Sequence, residues 1–521
     1  MQALDREVSG GNNGYAYMRR AGESLLAKVQ ELLLHGEFVF PFCQRPLRQN
    51  SFPPGWQQRA VLIVAGRGNN GGDGVVLAEL LLRNKIPYQL LLLYPPQEFR
   101  GEAASAWKDY ESAGGQASVF SGEFPATAGL VVDAMVGMGL HGNLRGSVLN
   151  LTLWIKEGGF PVLSVDVPSG VDSELVAEPQ TTMVADWTLL MGFPRFEACL
   201  EYPGDAFGQW DFVDLQYSPE VVERNRGPVR VQCCTMPALA KKLPLRKEWR
   251  EKRAQGVLGL IAGSRGMTGA AVMSAKAAMR SGAGMVNLAC PSAELPVLAS
   301  QLTEIVLHPM DSSSGVFLSS AITGVLAMLG RCGAGCVGPG ISNTSEVQAL
   351  VRQLTLDAQC PLIIDADGLN SFRGHAAMLR GLKQVPVLTP HEGEWERLFR
   401  IPAGTGWDRA EMLRSRCTEF GCVIVLKGAP TLVGTPSGEV YVVPMANSGL
   451  AKAGSGDVLA GIIASMRAQG ADSVDSALLG VWIHARAGMH ATREFGRRGA
   501  IPSDLISLIP RAILELESFA K

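Results

Sequence analysis

Three aspartates stand where a parallel sheet would gather its ligands. The run V-L-I-V-A at 61–65 reads as a buried strand, and G-R-G-N-N-G-G-D-G follows it at 66–74, carrying Asn69, Asn70, Gly71, Gly72 and Asp73. Two amides and a carboxylate at a helix start are ligands for a hard cation or a polar substrate. Asp73 could equally cap the turn and serve the helix dipole. Gly66, Gly68 and Gly71 satisfy G-x-G-x-x-G, but the next strand ends L-L-L-L-Y-P-P, with no acid at its tip for a ribose. The loop also lacks the Lys-Ser/Thr of a P-loop. Both an ordinary NAD site and an ATPase loop are therefore disfavoured.

Two further strand ends carry polar groups. Asp133 stands in V-V-D-A-M-V-G-M-G-L-H-G-N, whose loop offers Gly137, Met138, Gly139, Leu140, His141, Gly142 and Asn143; Asp166 and Ser169 fall in V-D-V-P-S-G-V-D. The C-termini of parallel strands meet at one edge, so Asp73, Asp133 and Asp166 should converge on one cleft. Three carboxylates cannot all sit there charged and unpaired. Either a cation shares them, or one has a raised pKa and does acid/base work.

A second constellation lies near the C-terminus, in A-K-A-G-S-G-D-V-L-A-G. The amides of Gly454 to Gly456 can form an anion hole, and Asp457 beside it can take a proton from a hydroxyl attacking phosphorus. Other strand tips supply Lys427-Gly428, suited to nucleotide phosphates, the set Thr389, His391 and Glu394 of T-P-H-E-G-E, and Asp365, Asp367 and Asn370 of D-A-D-G-L-N. A lone histidine is usually satisfied within a core; the polar setting of His391 favours substrate contact.

The elements that must position these groups repeat one grammar: a short apolar strand, a glycine-rich turn, then an Ala/Leu-rich helix. In the first block, strands are expected at 61–65, 88–94, 130–134 and 162–165, with a loop at 66–74 and a helix at 75–83. Residues 15–34 have helical spacing, with Leu25, Leu26, Val29, Leu32 and Leu33 on one face. In the second, strands are expected at 257–262, 286–289, 336–337, 362–364, 385–388 and 423–426, and helices at 270–280, 457–469 and 476–492. The pattern predicts parallel sheets with helices on both faces. A charged, proline-bearing stretch joins the blocks, and the boundaries are 1–215, a linker at 216–254, and 255–521.

Composition agrees with an enzyme of small molecules. The 521 residues are too many for one ordinary domain, and 60 glycines imply many tight turns. With 47 basic against 49 acidic residues there is no polyanion footprint, so nucleic-acid binding is not expected. The ten cysteines show no C-x-x-C and no zinc spacing, as in a reducing compartment. The first residues lack an apolar signal core, and no apolar run reaches ~18 residues. A cytoplasmic homo-oligomer with no membrane contact is the expectation.

At this point the motifs become specific. Residues 15–212 resemble the YjeF N-terminal domain family, the epimerases of hydrated NADH and NADPH, on N-N-G-G-D-G, D-A-x-x-G-x-G and D-V-P-S-G. That resemblance implies a potassium ion held through Asn70, Asp133 and Ser169, with substrate contacts from residues 69–73, 137–143 and Asp166. Asp166 becomes the candidate acid/base for inverting the hydroxyl-bearing C6 of the damaged ring. Residues 255–510 resemble the ribokinase-like superfamily, and within it the nucleotide-dependent dehydratases of hydrated NADH and NADPH, on G-S-x-G-M-x-G-A, V-G-P-G, D-A-D-G-L-N, T-P-H-x-G-E and G-S-G-D-V-L-A-G. Hydrate contacts are implied at Ala270, Gly340, His391 and Asp457, and nucleotide contacts at Lys427, Gly428, Ala429, Pro430, Thr431 and Gly456. Ser342 departs from an expected glycine, and Ala446-Asn447-Ser448 from a usual Asn-Pro-Gly.

Together the resemblances imply an α/β protein of two three-layer αβα domains, N-terminal Rossmann-like and C-terminal ribokinase-like. It would interconvert the R and S hydrates and dehydrate the S form using ADP, in preference to ATP, with Mg2+. The rival reading is a ribokinase-like small-molecule hydroxyl kinase with a non-catalytic N-terminal binding module.

Overall fold

The computed structural model describes residues 14–38, 52–126, 128–139, 142–171, 181–200, 204–225, 231–246, 249 and 251–519. The chain divides into two compact units, residues 1–228 and 229–521.

Among its described residues the first unit holds seven strands: β1 (Val61–Ala65), β2 (Tyr88–Leu92), β3 (Ser118–Val119), β4 (Val131–Ala134), β5 (Val162–Val165), β6 (Trp187–Met191) and β7 (Gln209–Val213). All are parallel, in the order β3-β2-β1-β4-β5-β6-β7. β1, β4, β5 and β6 are buried along their whole length, as continuous apolar runs must be when helices cover both faces. Helices α1 (Gly14–His35), α2 (Asn69–Arg83) and α3 (Gly101–Ser112) pack one face, and α4 (Gly146–Gly158) the other. Leu25, Val29 and Leu32 form the buried stripe of α1. The strand order reverses between β1 and β4, and a doubly wound sheet opens its crevice there.

Two features depart from expectation. α2 begins at Asn69, inside the stretch expected to be a loop, because its glycines are needed for close approach rather than for a turn. A Cβ on Gly71 would lie 1.9 Å from the Gly66 carbonyl oxygen, and one on Gly74 2.8 Å from Ala134. Strands β3, β6 and β7 also lie outside the expected set.

The second unit contains β8 (Val231–Cys233), β9 (Val257–Ile261), β10 (Met285–Pro291), β11 (Val306–Met310), the hairpin β12–β13 (Ser312–Ser313 and Val316–Phe317), β14 (Ala334–Val337), β15 (Leu362–Ile364), β16 (Val387–Leu388), β17 (Val423–Leu426), β18 (Thr431–Gly434) and β19 (Val440–Val443). Ten of them form one sheet, ordered β11-β10-β9-β14-β15-β16-β17-β18-β19-β8. The expectation of purely parallel pairing fails at β17-β18-β19, which are antiparallel. Only residues 427–430 and 435–439 separate these strands, too few for a crossover helix. The expected linker also holds sheet: β8 pairs with β19, Val231 opposite Val440. Its helices include α5 (Thr268–Arg280), α6 (Ser345–Asp357), α7 (Glu392–Phe399), α8 (Gly406–Phe420), α9 (Ser455–Ala468), α10 (Ser473–Gly499) and α11 (Pro502–Phe519). α9 is buried on nearly every side, and Gly461 lets it approach α5, since a Cβ there would lie 2.3 Å from the Ser274 carbonyl oxygen.

Two stability predictions arise here. Ser342 has φ +76°, the left-handed conformation where glycine meets no steric cost. Ser342→Gly is expected to raise the melting temperature, by up to ~1 kcal/mol of stability, as read by thermal unfolding. On α11, Glu515 accepts from Arg486 at 2.5 Å and lies 2.8 Å from His490 Nε2, both on α10. Burial opposes its ionisation, but the hydrogen bonds from His490 and Arg486 outweigh that and hold its carboxyl down at about 2. A depressed carboxyl contributes stability above its ordinary value of 4.5, lost as pH falls through about 2. Glu515→Gln should therefore lower the melting temperature near neutral pH, and the difference should shrink across that acid window.

Candidate active sites

In the first unit a cavity of about 600 Å³ opens at the strand ends, bordered by Asn69, Asn70, Asp73, Gly137, Asp166 and Arg195 among others. Gly71, Met138 and Gly139 also border it, whereas Gly72, Gly142 and Asn143 do not. Gly72 serves packing, with a Cβ there only 2.6 Å from Met18 Cε; Asn143 accepts from Thr181 Oγ1 at 3.2 Å. Leu140 and His141 lie outside the described residues.

Asp166 follows β5 in a left-handed conformation, φ +62°. Its carboxylate takes Arg195 Nη2 at 2.6 and 2.7 Å, Arg195 Nε at 3.2 Å and the Met191 amide at 3.1 Å. The Arg195 side chain is only 3% exposed. Asp166 is thus paired with a buried guanidinium that sequence reasoning missed. The available signal was a lone base in G-F-P-R-F, directly after the buried run of β6.

Asp133 does not border the cavity with the other two. It is wholly buried, accepting from Ser169 Oγ at 2.5 Å, the Ser169 amide at 2.8 Å, Ser164 Oγ at 3.0 Å and the Met135 amide at 3.3 Å. Burial still pushes its pKa above the usual carboxylate range. Ser169 Oγ also accepts from the Val136 amide at 3.0 Å, tying Asp133 to the loop that carries Gly137. Beside that loop sits Asn70, whose amide Oδ1 and Nδ2 are both buried with no hydrogen-bond partner. An unsatisfied buried amide costs ~1–3 kcal/mol, so such a group belongs with a ligand. Among the described residues no cluster of three His, Cys, Asp or Glu is built for a transition metal. The oxygens of Asn70, Asp133 and Ser169 are a set that suits a hard cation.

In the second unit a cavity of about 420 Å³ is bordered by Ala270, Gly340, Asn370, Glu394, Gly454 and Asp457 among others. Gly454 starts α9 at φ +92°, and Asp457 stands in its first turn. Burial foremost, then the charge of Asp365, push the Asp457 carboxyl up to about 7; Lys427 opposes them and Glu394 adds to them. Asp457 is thus a carboxyl poised to exchange protons near neutrality.

Lys427, expected at the nucleotide phosphates, is also bound within the protein. Its Nζ is turned inward, 2.9 Å from Asp365 and 3.5 Å from Glu394. Burial opposes its charge, but these two carboxylates hold its pKa above the ordinary lysine value. It lies 3.5 Å from where a Cβ on Gly456 would stand. Thr389 Oγ1 donates to Asp365 at 2.7 Å. The 427–431 loop is braced by Arg409, which donates to the Lys427 carbonyl at 3.0 Å and pairs with Glu392; Thr431 Oγ1 donates to the Gly428 carbonyl at 3.1 Å. The Ala429–Pro430 peptide is cis.

His391 is not among the residues bordering this cavity; it caps α7. Its Nδ1 accepts from the Gly393 amide at 3.0 Å and the Glu394 amide at 3.4 Å, while Glu394 returns a bond to the His391 amide at 2.9 Å. The ring is half exposed, leaving Nε2 reachable. Asn447 likewise caps a short turn, accepting from the Gly449 amide at 2.9 Å.

A doubly wound parallel sheet with a polar cavity at its switch point, and an αβα unit with a buried carboxyl at a glycine-rich helix start, define a two-domain α/β enzyme. A family model described as YjeF-related protein N-terminus matches residues 14–196, and one described as NAD(P)H-hydrate dehydratase matches 258–511. The bifunctional NAD(P)H-hydrate repair enzyme of Moorella thermoacetica is 33% identical over 469 residues, covering 88% of each chain. That of Gloeobacter violaceus is 35% identical over 445 residues, 84% of this chain and 85% of its own. A crystal structure of an ADP/ATP-dependent NAD(P)H-hydrate dehydratase from Bacillus subtilis, co-crystallized with ATP/Mg2+, is 28% identical, covers 55% of this chain and 99% of that one, and has a TM-score of 0.47. The chain belongs to the family of bifunctional NAD(P)H-hydrate repair enzymes.

Proposed function

We propose that the first unit interconverts the R and S hydrates of NADH and NADPH and that the second dehydrates the S form at the expense of ADP, or less readily ATP. The observation that carries the dehydratase half is a buried carboxyl with a pKa of about 7 beside a glycine-rich helix start. Hydroxide leaves C6 poorly, and a phosphate ester leaves far better. Asp457 takes the C6 hydroxyl proton as the oxygen attacks the terminal phosphorus and breaks its bond to the nucleotide. The ring nitrogen lone pair then expels phosphate, and loss of a ring proton restores the reduced dinucleotide. Mg2+ would arrive with the nucleotide and neutralise phosphate charge.

C6 of the hydrate bears both a hydroxyl and the ring nitrogen. Inverting it requires one of these bonds to break and reform from the other face: opening C–N takes the hydroxyl proton and returns it on reclosure, whereas losing the hydroxyl as water takes a proton from an acid and returns one when water adds back. We assign that proton to Asp166, oriented by Arg195. Potassium fits the first unit: the unpaired Asn70 amide, with Asp133 and Ser169, would hold it, and it would supply positive charge to position the substrate. The reading places a homo-oligomer in the cytoplasm, acting on small molecules with neither nucleic acid nor membrane as partner.

The test is to give purified protein a mixed hydrate preparation with ADP or ATP and follow absorbance of the reduced nicotinamide. Recovery is expected. A stable phosphorylated hydrate without recovery would make the second unit a kinase instead.

A further inference from the structure

Beside the dehydratase cavity lies an open surface pocket of about 370 Å³, lined by the exposed side chains of Arg373, Arg397 and Arg400, by Gly393 and by a single carboxylate, Glu396, also exposed. Gly393, Glu396, Arg397 and Arg400 recur at i, i+3, i+4 and i+7, which puts them on one face of α7 and its C-terminal turn. The same helix carries Glu394 of the reaction cavity in its first turn. Arg373 comes from the turn after Asn370, its amide donating to the Asn370 carbonyl at 3.2 Å. Asn370 joins the two spaces: it borders the reaction cavity and accepts from Arg397 Nε at 2.9 Å.

Charge and strain both mark this wall. Three guanidiniums face one carboxylate, and Arg397 bonds to an amide rather than to an acid. Arg400 occupies the position after the helix where glycine is usual, and does so at φ +58°. These side chains are exposed, so water screens their mutual repulsion, and what marks the patch is its chemistry: guanidinium forks match phosphate oxygens. A hydrate whose ring sits at Asp457 must place its phosphates away from that carboxylate.

We propose that this pocket holds a phosphate of the hydrated dinucleotide during dehydration, an inference that rests on the dehydratase reading of the second unit. The test uses the full chain with Arg373→Ala and Arg400→Ala combined, which spares the Arg397–Asn370 bond. The KM for the S hydrates of NADH and NADPH should rise on the order of tenfold, with kcat within about twofold and the KM for ADP unchanged, as expected for lost uniform binding. A rise for both hydrates identifies the pyrophosphate, and a rise confined to the NADPH hydrate identifies its 2′-phosphate. Glu396→Gln, which removes the opposing charge, should lower the hydrate KM. An unchanged hydrate KM in both variants, or a rise in the ADP KM alone, overturns the assignment. If the unaltered enzyme fails to dehydrate, the functional reading falls instead, so the two failures are distinct.

Discussion

Asp457→Asn is expected to abolish dehydration, with a loss of roughly a thousandfold, and to make the protein more stable at alkaline pH. The rate loss follows from removing the only group at the anion hole proposed to take the hydroxyl proton; such bases contribute ~10²–10⁴-fold. The stability gain follows from linkage. The folded-state carboxyl titrates at about 7, against an ordinary value of 3.8. A carboxyl raised on folding favours the fold only while protonated. That contribution is complete below its unfolded value and is lost as pH rises through about 7. Above neutrality the ionised Asp457 is a liability on the order of a few kcal/mol, and asparagine removes it. The melting temperature of the variant should exceed that of the parent near pH 8 and converge with it near pH 4. In the parent, kcat/KM for the S hydrate should climb through about pH 7 with unit slope. A pH-independent rate, or a variant less stable at every pH, would refute the assignment.

The second large effect is expected from Asp166→Asn. Epimer exchange should fall roughly a thousandfold, while dehydration of pure S hydrate stays within about twofold of the parent. A mixed preparation would then be repaired only as far as its S fraction. The same change leaves the buried Arg195 guanidinium without its anion, at about 3–5 kcal/mol. To separate chemistry from folding, Arg195→Met should be added. The double variant is expected to recover stability and not exchange, measured by thermal unfolding and by chromatographic resolution of the epimers. Exchange at the parental rate in either variant would remove Asp166 from the mechanism.

Much of the architecture was legible because parallel strands buried on both faces are written as unbroken apolar runs. Val61–Ala65, Val162–Val165, Leu362–Ile364 and Val423–Leu426 are strands end to end. Topology then placed Asp73 and Asp166 at one cleft without any local pattern. What stayed illegible depends on partners distant in the chain. Asp166 and Arg195 are 29 residues apart, and no periodicity links them. Asp133 lies near the end of β4 and Asp166 just after β5, yet one is sealed under Ser164 and Ser169 while the other reaches the cavity. Lys427 and Asp365 are 62 residues apart, so its inward turn could not be read from K-G-A-P-T. The early start of α2 was hidden by glycines that weaken helix propensity but allow the backbone to touch.

The most direct measurement starts from resolved R hydrate alone, supplied with ADP or ATP and no other enzyme. Near-stoichiometric return of reduced dinucleotide is predicted, because R must become S before Asp457 can act on it. If S hydrate is repaired while R hydrate is converted no faster than in a control without protein, the first unit is not an epimerase and the two-site account is wrong.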